Sequence, residues 1–148
     1  MKEGSNKMDD QNLMDPKEYR KIIHQMELLS IVLDSCAVKT KRGNLGDENI
    51  KLHIDHKYSY DKNDDTSEIF SIYSLVATKS SKRDFALKIE CTYKVIISGE
   101  EISDAFLNTY CKFNLSVNTW PFFREFVQSM VNRTGFPPLT LPLLKPSN

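Results

Sequence analysis

The chain has 148 residues, 40% of them hydrophobic and 27% charged, which predicts one globular domain whose core needs no metal or disulfide staple. Twenty basic and twenty acidic side chains cancel, so no electrostatic drive toward nucleic acid or an anionic membrane exists, and little charge keeps copies of the chain apart. No apolar run approaches the roughly 18 residues of a membrane span, and three cysteines without CxxC spacing (Cys36, Cys91, Cys111) fit a reducing cytoplasm better than a disulfide framework.

Residues 1–14 are polar, without an apolar signal core, and read as a disordered leader ahead of a single domain at 15–148. Asp15 then supplies a helix cap, Pro16 suits the first turn, and Glu18 follows three residues after the cap. Tyr19, Ile22, Ile23, Met26 and Leu29 continue a helical stripe, which predicts a helix over 16–27.

Four strands are predicted next. Residues 28–41 alternate around Leu29, Ile31 and Leu33, and 42–49 hold two glycines and read as a loop. Over 50–60, Ile50, Leu52, Ile54, Tyr58 and Tyr60 share one face, with Lys51, His53, Asp55, Lys57 and Ser59 on a wet one. A polar turn over 61–67 leads to 69–78, apolar on both faces and therefore expected to be covered on both. In residues 85–97, Phe85, Leu87, Ile89, Cys91, Tyr93, Val95 and Ile97 alternate with Ala86, Lys88, Glu90, Thr92, Lys94 and Ile96, and the short polar connections suit an antiparallel meander.

Beyond Ser98-Gly99 the period becomes helical. Ile102, Phe106, Tyr110 and Phe113 mark one helix. Asn118 or Thr119 is a candidate cap for a second, with Pro121 in its first turn and Gly135 as its stop. Phe122, Phe123, Phe126, Val127, Met130 and Val131 form that helix's apolar side, where a stripe packed on the sheet is favoured for Phe122, Phe126 and Met130. Three prolines among leucines over 136–144 exclude helix and central strand, so this stretch is extended. Leu139, Leu141, Leu143 and Leu144 must then lie on the sheet, join an oligomer contact or wall an apolar groove. Strands first and helices after predict an α+β fold: a four-stranded antiparallel sheet with helices packed on one face and an extra N-terminal helix.

Catalytic signatures are absent. His53 and His56 stand on opposite faces of a strand, and no phosphate-binding glycine loop or nucleophile elbow occurs. The acidic turn at Asp61, Asp64, Asp65 and Glu68 lacks the offsets of a calcium loop and reads as solvated, with a docking surface as the alternative. No cofactor, no metal and no enzyme activity are expected.

Three runs carry a family resemblance: Cys111-Lys112-Phe113-Asn114-Leu115, Trp120-Pro121-Phe122-Phe123-Arg124-Glu125, and Val131-Asn132-Arg133-Thr134-Gly135-Phe136-Pro137-Pro138-Leu139-Thr140-Leu141. Together they resemble the closing segment of the SecB chaperones, with an aromatic-Pro-aromatic-x-Arg-Glu helix start and an Arg-x-x-Phe-Pro-Pro-Leu-x-Leu loop. The resemblance implies a cytoplasmic homotetramer, a dimer of dimers, that holds unfolded polypeptides in apolar grooves without ATP. It implies client contacts at Phe136, Pro137, Leu139, Leu141 and Leu143, joined by Tyr58 and Tyr60 of the second strand. Trp120, Phe122, Phe123 and Phe126 become core or oligomer residues. Export members continue into a final helix and a basic tail that contacts the translocation ATPase; this chain is expected to lack both and to add the helix over 16–27. Those departures are similar to divergent members that protect the antitoxin of a toxin–antitoxin pair. A SecB-like holdase serving export, one dedicated to a partner such as an antitoxin, and a small-ligand-binding α+β domain are the readings carried forward.

Overall fold

The computed structural model describes residues 12–44, 50–79 and 84–144. Of the expected leader, residues 1–11 lie outside these, as do residues 45–49 of the predicted loop. In chain order the elements are α1 (Pro16–Gln25), β1 (Glu27–Thr40), β2 (Ile50–Lys62), β3 (Thr66–Lys79), β4 (Phe85–Ser98), α2 (Asp104–Phe113) and α3 (Leu115–Thr134), with a short 3-10 turn at Arg42–Asn44. The strands form an antiparallel sheet in the order β1-β4-β3-β2.

That order departs from a simple meander. β2, β3 and β4 follow one another, but β1 pairs with β4, at the far side of the sheet from β2. The crossing spans about 14 Å, three strand spacings. The nine residues between Thr40 and Ile50 reach about 30 Å when extended, so a local pattern cannot decide which neighbour β1 takes.

The strands run through two compact units, Met1–Leu33, Lys57–Ser71 and Tyr93–Thr119 in the first, Asp34–His56, Ile72–Thr92 and Trp120–Asn148 in the second. In the first, Ile69 of β3 and Val95 and Ile97 of β4 pack against Phe106, Leu107, Tyr110 and Cys111 of α2, Leu115 of α3 and Ile22 of α1. Asp15 caps α1 by accepting from the Lys17 and Glu18 amides, with Pro16 in the first turn. Ten residues are too few for a stable isolated helix, so docking holds it. Ile22 is buried, the Met14 amide donates to Thr109 Oγ1 at 2.9 Å, and the Tyr19 hydroxyl donates to Asn114 Oδ1. The helix stops at Gln25, shorter than the predicted 27, because Met26 turns extended and leads directly into β1.

α3 starts at Leu115, earlier than the cap expected at Asn118 or Thr119, and Pro121 lies inside it. Proline removes the amide that would serve the Val117 carbonyl. Val117 is exposed, so water can take that acceptor, and the Thr119 hydroxyl donates to the Leu115 carbonyl at 2.9 Å. At the other end Gly135 adopts φ 76°, the left-handed position that ends helices, and Arg42 Nη2 donates to the Thr134 carbonyl at 2.6 Å.

In the second unit Tyr73, Leu75, Leu87, Ile89 and Cys91 of the sheet are buried, as are Trp120, Phe123, Val127 and Val131 of α3. The Tyr73 ring stacks on Phe123 at 4.7 Å and on His56 at 4.3 Å, with Trp120 tilted beside it at 5.8 Å. Two strand expectations change. β3 buries only its odd-numbered side chains, while Phe70, Ile72 and Val76 stay partly or fully exposed in the subunit. Ser59, placed on a wet face, is 7% exposed. Apolar composition shows what a face prefers, not whether one subunit covers it.

Candidate functional site

The closing stretch, 136–144, has prolines at 137, 138 and 142, which remove amide donors and block a strand ladder. Its carbonyls therefore need donors from elsewhere, and α3 supplies them. Trp120 Nε1 donates to the Pro142 carbonyl at 2.9 Å and Arg124 Nε donates to the Leu141 carbonyl at 2.7 Å. Residues four apart lie one above the other on a helix face, so one turn of α3 engages two successive carbonyls of an extended chain. Side chains complete the anchor. Leu141 is 2% exposed and Phe136 9%, whereas Leu143 is 70% exposed. Leu139 is half-buried and Pro137 exposed.

Leu141 and Phe136, expected at a client surface, are thus turned into the subunit, because a segment without ladder hydrogen bonds is held by burying its apolar anchors. Leu143, Leu139 and Pro137 remain accessible. On α3 the buried stripe is Trp120, Phe123, Val127 and Val131. Phe122 is exposed, and Phe126 and Met130 are half-buried, so the packed face is rotated from the one expected. Nothing in composition or periodicity singles out Arg124. Its signal is positional: two long donors one turn apart, followed by a proline-rich stretch rich in acceptors.

Tyr58 and Tyr60 belong to the first unit, half-buried against its core. The Tyr60 hydroxyl donates to Asn108 Oδ1 at 3.2 Å. Burial raises both phenols, Tyr58 to about 12, so at neutral pH they remain hydrogen-bond donors.

Burial also pushes the Cys111 thiol up to about 12, which leaves it protonated and non-nucleophilic. Cys91 is buried and Cys36 exposed. Among the described residues no group of three His, Cys, Asp or Glu side chains is placed to hold a metal ion, and no helix is long and apolar enough to cross a membrane.

His56 is held low, at about 4, by burial, against an opposing pull from Asp55. An unfolded histidine titrates near 6.5, so between about 6.5 and 4 the unfolded chain binds the extra proton. Stability is therefore full above about pH 6.5 and falls as pH drops toward 4, by about 2–3 kcal/mol from this group. His56→Phe keeps a ring on Tyr73 and removes that share of the acid loss. Urea unfolding of both proteins at pH 7 and pH 4.5 checks it; equal losses would contradict the assignment.

Comparison with known proteins decides the family. The family model described as preprotein translocase subunit SecB matches residues 38–145. This chain belongs to the SecB family. α1 and most of β1 precede the stretch matched by the SecB model. A Mycobacterium tuberculosis SecB-like chaperone, Rv1957, solved in complex with a ChAD peptide from the Rv1956 HigA1 antitoxin, shares the fold with a TM-score of 0.75. The alignment covers 85% of this chain and 95% of that one, at 14% identity. A Streptococcus agalactiae protein of unknown function aligns over 80% of this chain and 98% of its own at 10% identity, with a TM-score of 0.39. No curated protein sequence matches the chain.

Proposed function

We propose that this SecB-family chain is an ATP-independent chaperone that holds unfolded or non-native polypeptides as a cytoplasmic homo-oligomer, a tetramer built as a dimer of dimers. One observation carries the reading: the subunit leaves large apolar side chains exposed on β1, β2, β3, α2, α3 and the closing stretch. A monomer has no use for so much apolar surface; an assembly and its clients do. Covering it gains roughly 25 cal/mol per Å² and asks little of client sequence. A long client touching several subunits compounds weak contacts.

β1 suits the subunit interface. It is an edge strand with Leu28, Leu29, Val32 and Leu33 exposed on both faces. Edges left open to solvent are usually blunted by charge, proline or bulges; here Glu27 and Asp34 stand only at the ends of the apolar run. Client contacts are assigned to Leu139, Leu143 and Pro137, with Tyr58 and Tyr60; in the subunit without client, Phe136 and Leu141 hold the segment in place.

Two clienteles are compatible with the fold: precursors bound for a translocation ATPase, and a single aggregation-prone partner such as an antitoxin. The likeness to a chaperone solved in complex with an antitoxin peptide favours keeping the second. Native mass spectrometry, alone and with a reduced unfolded client, tests the proposal. A tetramer that takes up client without nucleotide is expected. A monomer carrying a bound small molecule would replace this reading with a ligand-binding domain.

A further inference from the structure

We propose that the stretch 139–143 sits, within its own subunit, in a docking site for an extended client segment, and that a client binds there by displacing it. This rests on the chaperone reading above and adds the regulation of its site. The site on α3 is built and occupied. Trp120 Nε1 and Arg124 Nε engage successive main-chain carbonyls, those of Pro142 and Leu141, and the Leu141 side chain is buried. Every one of these contacts is available to a foreign chain. A peptide that takes up the same extended conformation presents the same pair of carbonyls, and a leucine or methionine of similar volume can fill the Leu141 position. A holdase needs that kind of recognition, which reads the backbone and demands only one apolar side chain.

Next to that anchor the internal occupant makes no strand pairing. Pro142 gives it no amide at the anchor, Leu143 beyond the anchor is 70% exposed, and Pro137 and Pro138 bar a strand ladder upstream. Its competition lowers the apparent client affinity by the fraction of time it is seated. A resting subunit thus hides an apolar pocket that clients alone uncover. The occupant is a segment of non-native polypeptide with one large apolar residue; nucleic acid and small ligands offer no matching row of carbonyls.

The test uses the full chain and a fluorescent peptide copying residues 136–144. Leu141→Ser releases the internal segment and should bind the peptide at least about tenfold more tightly than the unsubstituted protein, by fluorescence anisotropy. Pro142→Gly, at an exposed position, loosens the segment with little risk to folding and should give an intermediate gain. Adding Arg124→Ala to Leu141→Ser should remove most of that gain. Equal or weaker peptide binding by both single variants overturns the inference. If that happens while the unsubstituted protein still suppresses client aggregation, the chaperone reading stands without the internal competitor. Tight peptide binding by the variants, with no suppression of client aggregation by any of the proteins, would sink the chaperone reading instead.

Discussion

Phe123→Ala is expected to destabilise the protein by about 3–5 kcal/mol, the usual cost of emptying a packed aromatic site. Phe123 is fully buried, lies nearly parallel to the Tyr73 ring at 4.7 Å and meets the Trp120 ring at 5.8 Å. Alanine forfeits the burial, leaves a cavity beside rings that cannot collapse into it, and loses stacking worth about 1 kcal/mol more. Trp120 then loses support on one side, and its indole is one of the two donors that fix the closing stretch. Urea unfolding should show the midpoint fall with an unchanged slope. A loss under about 1 kcal/mol would mean that Phe123 is not the packing centre of its unit.

The second large effect concerns assembly. Leu29→Asp combined with Val32→Asp is expected to weaken subunit association at least about a hundredfold, because two carboxylates would have to be desolvated in an apolar contact. The two positions lie on opposite faces of β1, so pairing through that edge cannot avoid both. Each is exposed in the subunit, and exposed substitutions usually change stability by under about 0.5 kcal/mol. The variant should therefore fold and sediment as a species smaller than the tetramer at micromolar concentration. A wild-type mass at the same concentration would remove β1 from the interface.

Strands were the most legible part of the chain. In β4 every odd residue from Leu87 to Ile97 is apolar or aromatic and every one is buried, because a period of two leaves no other face to choose. Asp15-Pro16 and Gly135 were equally plain, since cap and stop chemistry is local. What stayed hidden depends on distant neighbours. Asn118, Thr119 and Pro121 look like a helix start, but Asn114 ends α2 in helical geometry and α3 follows at once, so the proline falls within it. The pairing of β1 with β4 leaves no local mark. In the closing stretch the prolines announced an extended chain, but four leucines spread over six positions with no ladder to impose a period do not show which is the anchor. Leu141 becomes that anchor because its carbonyl meets Arg124 and the next meets Trp120.

A SecB-family subunit with this exposed apolar surface is expected to hold non-native chains without ATP. The most direct test is light scattering from a reduced, unfolded client diluted into buffer, with and without stoichiometric protein and with no nucleotide present. Suppression that saturates near one client per assembly, and is unchanged by added ATP, is the predicted result. Unsuppressed aggregation at several-fold molar excess of a correctly folded protein would contradict it.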